Sequence, residues 1–148
     1  MIDELKVTGI VEVVLYSADG KVKQQETVSN LVTTAGKNFI VRKIVNDAEN
    51  ISSVGIGFGT TPATLLDTEL ESSLANEPVR FQSVDTIDTN VLVNITTFEE
   101  NVGNGTINEI GLFSNSTPQK LLCRTVVTTP FVKGATDYLN VSWKIKIG

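Results

Sequence analysis

The chain has no histidine at all, and this absence excludes more chemistry than any other feature of its 148 residues. Without histidine there is no Ser-His-Asp or Cys-His nucleophile pair and none of the common histidine-containing zinc sites. Cysteine is nearly absent too. The one copy, Cys123, forms no internal disulfide and cannot build a thiolate metal site; within Leu121-Leu122-Cys123 it stands where a small buried hydrophobe would stand. No apolar run approaches the roughly 20 residues of a membrane-crossing helix. Residues 1–6, Met-Ile-Asp-Glu-Leu-Lys, lack the apolar stretch of a secretory signal. Positive charge is in the minority, with 12 Lys and Arg against 17 Asp and Glu for a net charge of −5, and no basic block stands out. Nucleic acid is therefore not expected as a direct partner, and neither is a membrane. Five Asn-x-Ser/Thr sequons, starting at Asn50, Asn94, Asn104, Asn115 and Asn140, are read as chance in a chain rich in Asn, Ser and Thr.

What the chain does have is period-two patterning. From Tyr138 to Ile147, the residues Leu139, Val141, Trp143, Ile145 and Ile147 share one face, and Tyr138, Asn140, Ser142, Lys144 and Lys146 share the other. That alternation specifies a half-buried β-strand. Residues 6–16 repeat it with Val11, Val13 and Leu15 on one face. Asp19-Gly20 then predicts a hairpin, with 21–31 as the return strand. Residues 34–45 change period, because Ile40 and Ile44, and Val41 and Val45, stand four apart. A short helix capped by Thr33 or Thr34 is expected there. The glycine-rich segment 51–58 reads as a strand approached closely by another backbone or a large side chain. Leu66, Leu70 and Leu74, with Thr64 and Asp67 at roughly capping-box spacing, suggest a second short helix. Strands are expected at 79–84, 91–98 (Val91, Val93 and Ile95 facing one way), 106–113 and 120–128, with Pro130 interrupting before the last strand. The expected fold class is mainly β: an antiparallel β-sandwich or jelly-roll-like architecture with one or two short helices. It forms a single domain over 1–148, with residues 1–5 as an N-terminal arm.

Candidate chemistry is thin. Gly55, Gly57 and Gly59 miss both glycine fingerprints: no Lys follows as a phosphate loop requires, and Thr60 occupies the dinucleotide motif's third glycine. Asp85, Asp88 and Asn90 lack the calcium-loop spacing and read as a polar hairpin loop. Glu99 and Glu100 are adjacent and point to opposite sides. Glu109, inside the apolar run 107–113, is either on the solvent face or paired structurally with Arg80 or Arg124. Tyr16, Tyr138 and Trp143 are the candidates for a carbohydrate-binding face. No catalytic, cofactor-binding or metal-ligating residue is assigned, no cofactor is expected, and the chain is not read as an enzyme.

An ordered set of segments resembles small virion structural proteins of tailed bacteriophages. These are the strand–Asp19-Gly20–strand opening, 30–40 (Asn-Leu-Val-Thr-Thr-Ala-Gly-Lys-Asn-Phe-Ile), 54–62 followed by Asp67-Thr68-Glu69-Leu70, then 108–113, Leu121-Leu122-Cys123-Arg124, and the final strand. The resemblance spans nearly the whole chain. It implies a packing module of the virion, assembled in the host bacterial cytoplasm, acting as a capsid decoration (cement) protein or a tail or baseplate component. The implied partners are the major capsid protein or tail and baseplate proteins, with homo-oligomers expected. The alternative is a carbohydrate- or host-surface-binding module of a phage tail.

Overall fold

The computed structural model describes residues 6–148, so the expected arm at 1–5 lies outside the described residues. The fold is mainly β. In chain order the elements are β1 (Val7–Tyr16), β2 (Val22–Val32), α1 (Thr34–Lys43), β3 (Ile51–Gly57), β4 (Ser73–Pro78), β5 (Phe81–Val84), β6 (Val91–Phe98), β7 (Gly105–Ser114), β8 (Leu121–Lys133) and β9 (Tyr138–Ile147). All pairings are antiparallel. They form one nine-stranded sheet in the order β4-β3-β7-β8-β2-β1-β9-β6-β5, curled into a half-barrel.

The curl brings two flanks face to face across one core. One flank is β2-β1-β9-β6-β5; the other is β4-β3-β7-β8. They join where the last residues of β2, Leu31 and Val32, leave β1 and pair with Arg124 and Cys123 of β8. The chain crosses between them again at Val79 and Arg80, which link β4 to β5. The Val79 amide donates to Ser52 O at 2.9 Å, and the Arg80 amide donates to Ile95 O at 2.9 Å, so consecutive residues bond to opposite flanks.

The alternating strands are placed as their patterns require. Val11, Val13, Leu139, Val141 and Trp143 are wholly buried, and Lys144 and Lys146 are exposed. The β1–β2 turn closes with the Gly20 amide on Ser17 O, and Gly20 has φ +85°, a backbone region that Gly adopts without steric penalty. In β6 the more buried face belongs to Asn94, Thr96 and Phe98, while Val93 and Ile95 are half-buried on the other face. Periodicity shows which residues share a face; it does not show which face looks inward.

Helix α1 starts at its expected place. Thr33 is the N-cap, its hydroxyl accepting from the Gly36 amide at 3.0 Å while donating to Leu121 O at 2.7 Å. Gly36 packs so closely on the backbone of Leu122 that a Cβ there would strike it. The first turn is thereby fastened to β8, and Phe39 is turned into the core.

Two expectations are corrected. Residues 64–74 form no helix: Leu66 is 82% exposed, Leu70 packs in a small cluster with Phe113 and Leu121, and Leu74 lies in β4, a strand the sequence reading missed. The capping contacts between Thr64 and Asp67 do form, at 2.9 and 2.8 Å. The Glu71 and Ser72 amides, however, donate to the buried Glu109 carboxylate, so helical acceptors lose them. Pro130 does not interrupt β8. The β7–β8 register slips between the Ile107↔Phe131 and Glu109↔Val126 pairs, and Pro130 sits in that irregularity, where no ladder amide is required.

Candidate functional site

The densest polar cluster is built around Glu109, which β7 carries into the interior with no solvent exposure. Its partner is Arg124 of β8, itself 2% exposed, with Nε 3.1 Å from Glu109 Oε1. The Arg124 Nη1 then reaches Asp67 Oδ2 at 3.1 Å. Three backbone amides, from Gly59, Glu71 and Ser72, donate to the Glu109 carboxylate at 2.8 Å each. One carboxylate thus gathers both ends of the 58–72 loop, and Arg124 holds its middle through Asp67. Gly57 and Gly59 pass against this carboxylate with no room for a side chain, and Gly55 packs on Phe113, where a Cβ would lie 2.8 Å from the ring. Gly55 and Gly57 are the close-approach positions expected of segment 51–58. The cluster is a clamp: apart from the buried Arg124 Nη2, its polar groups engage one another, which fits the structural pair expected for Glu109. Arg80, the other candidate partner, pairs instead with Glu99 at 2.9 Å on the surface.

The clamp has an acid-sensitive component. Burial is the largest single influence on Asp67 and raises its pKa. The Thr64 amide and hydroxyl and the Arg124 guanidinium outweigh it, holding the group below its ordinary 3.8. Asp137 is also held low, first by the Lys23 ammonium at 2.7 Å and then by the Gly134 amide. A carboxyl whose folded-state pKa is depressed contributes stability that is fully present above the unfolded value and is lost as pH falls through the folded value. The melting temperature should therefore hold from neutral pH down towards the ordinary carboxylate value and drop below it. Asp67→Asn should lower the neutral-pH melting temperature and make the acid limb shallower. An acid limb identical to that of the unsubstituted chain would exclude Asp67 as a source.

The remaining sequence candidates are scattered. Cys123 is buried, and loss of solvent pushes its thiol up to about 12. Such a thiol is a poor nucleophile. Asp85 closes its own loop by accepting from the Ile87 and Asp88 amides at 2.7 and 3.0 Å. Asn90 is tied to Ile147 O. Tyr16 and Tyr138 stack with centroids 4.8 Å apart, but Trp143 is wholly buried, so the three aromatics form no common face. Among the described residues, no group of three or more Cys, Asp and Glu is placed to hold a metal ion, and no helix is long and apolar enough to cross a membrane.

Sequence reading missed the most exposed apolar feature near the helix. Outside the core, α1 and the residues after it present Val41 (63% exposed), Ile44 (80%) and Val45 (79%) to solvent. Beside them runs an apolar groove of about 820 Å³ between Val7, Ile40, Val41, Ile44 and Ile147, with Lys6 and Lys37 on its rim. A signal was present. A ten-residue helix lying on a sheet needs one apolar stripe, and this segment carries two, Ile40/Ile44 and Val41/Val45. Contiguous exposed apolar surface of this kind marks a contact site more often than a free surface. The two outermost strands of the sheet, β4 and β5, have unpaired outer edges, and β5 adds the exposed Phe81 and Val84.

Fold and surface together describe an antiparallel half-barrel with an internally clamped loop, an outward-facing apolar helix and open strand edges. Compared with protein-family models, curated proteins and solved structures, the chain matches none.

Proposed function

We propose that this chain is a non-enzymatic virion structural protein of a tailed bacteriophage, stabilising the particle by burying surface against neighbouring subunits. Its place is the capsid surface, as a decoration or cement protein, or the tail or baseplate; the two fit the sequence resemblance equally well. The partner is another virion subunit, a further copy of this chain or the protein of the lattice beneath it.

The observation that carries this reading is the outward apolar face of Val41, Ile44 and Val45 beside its groove. Water-facing valine and isoleucine in the last turn of α1 and just beyond its end gain about 25 cal/mol per Å² when a partner covers them. The clamp supports the same reading, because it makes a rigid frame in which polar groups stabilise a loop and none is left poised for proton transfer.

The test is light scattering after size exclusion. The unsubstituted chain should run as an oligomer, and Ile44→Asp with Val45→Asp should shift it to monomer with an unchanged circular dichroism spectrum, since both side chains are exposed. An oligomer indifferent to both substitutions would exclude this face as the contact between copies, and a chain monomeric at high concentration would exclude a further copy as its partner.

A further inference from the structure

A second apolar space lies on the inner side of α1, beside the outer groove, with which it shares Ile40 and Ile147 as walls. It is a partly enclosed cavity of about 420 Å³ at the end of the half-barrel. Lining residues come from β2, α1, β3, β5, β6, β8 and β9, so walls surround it on several sides. Phe39, Ile51, Leu122 and Ile145 are among the apolar side chains that form them, and among the described residues no charged one contributes. Thr89 and Asn90, both exposed in the β5–β6 loop, are the only polar side chains of the lining apart from the Cys123 thiol. The space lies under a helix held at both ends, its last turn tied by Arg42 to Glu49, which also pairs with Lys120. Thr33 and Gly36 hold its first turn against β8, and the rest of the helix spans the open end towards β6 and β9 without filling it.

We propose that this cavity is a binding site for one small amphiphile, an aliphatic chain ending in an uncharged hydrogen-bonding group such as a hydroxyl. Its volume falls in the range of about 300–1,000 Å³ typical of small-molecule pockets, which are mostly apolar with a few placed polar groups. Water is a poor occupant, because it needs two or more polar partners and the walls offer almost none. The uncharged lining excludes an ionised headgroup, which would be desolvated with no counter-charge. The polar end is placed by Thr89 and Asn90. Asn90 already donates its amide N–H to Ile147 O, leaving its carbonyl oxygen to accept from a ligand hydroxyl. Walls from seven elements shape a space that a hydrocarbon chain can enter. The walls are fixed by the strand ladders and the α1 anchor, so the site is preformed.

The test uses the intact folded chain and N-phenyl-1-naphthylamine, an uncharged apolar fluorophore, with decan-1-ol as competitor. The expected result is saturable, blue-shifted fluorescence at one probe per chain, displaced by decan-1-ol, with decan-1-ol also raising the melting temperature. Val84→Trp and Thr89→Trp place a large side chain at the exposed mouth, where folding is not at stake. Each should weaken probe binding at least tenfold. Ile44→Asp, on the outer groove, should leave it unchanged. Absence of saturable binding overturns the proposal. So does binding that survives both mouth substitutions, or that disappears with Ile44→Asp, which would place the probe on the outer groove. The assembly reading does not depend on this site, and failure here leaves it standing.

Discussion

Glu109→Ala should destabilise the chain by about 3–5 kcal/mol, the range for breaking a buried ion pair by removing one partner. The substitution strands the Arg124 guanidinium, 2% exposed, with only Asp67 left to it. It also removes the acceptor of the Gly59, Glu71 and Ser72 amides. The cost should appear in two measurements. Chemical denaturation should report the global loss, and amide hydrogen exchange should show faster exchange at residues 59, 71 and 72 than elsewhere. A double substitution, Glu109→Leu with Arg124→Met, should recover part of the loss, because an apolar pair can replace a buried ion pair at little net cost. Recovery should be incomplete, since the three loop amides stay without their acceptor. Full recovery would mean that the charges alone matter and that the carboxylate does not hold the loop.

Trp143→Ala should cost a similar amount, about 3–5 kcal/mol. Trp143 is wholly buried on β9, opposite Val11 of β1 on one side and Asn94 of β6 on the other. Its removal opens a void between strands that cannot collapse without breaking two ladders. The indole Nε1 has no hydrogen-bond partner among the described residues, so the loss is one of volume and contact. Trp143→Phe, which keeps much of the volume and removes that N–H, should therefore lose less than half as much. A thermal melt unaffected by Trp143→Ala would contradict its place at the centre of the core.

Much of this fold is legible in the sequence wherever one physical effect acts alone. β1 and β9 alternate cleanly because one face meets the core and the other meets water. The Asp19-Gly20 turn is legible because a positive φ favours glycine there. Cys123 and the glycines at 55 and 57 are legible because crowding leaves one reading for them. The failures occur where a distant group intervenes. Residues 64–74 carry the local signals of a helix, but a carboxylate from β7, 38 residues beyond Glu71, takes the amide that the helix would use. Pro130 breaks a strand in local terms, whereas a register slip against β7 lets the strand continue. Asn94 and Thr96 face inward although Val93 and Ile95 look the better core residues, because the strand's twist and neighbours decide which face is inner. The pairing of Glu109 was legible as one of two alternatives. Choosing Arg124 over Arg80 required the β7–β8 register, which brings Gly111 opposite Arg124. The helix face and the inner cavity depend on how α1 is seated, and no local pattern encodes that.

The proposed role, covering other virion subunits, requires that the chain bind a virion structure. The most direct measurement is co-sedimentation of the purified chain with separated heads and tails of a phage whose genome encodes it, compared with the Ile44→Asp, Val45→Asp variant. The account predicts saturable binding of the unsubstituted chain to one of the two structures, at a fixed number of copies per particle, and loss of that binding in the variant. A chain that sediments with neither heads nor tails, or a variant that binds as well as the original, would contradict it.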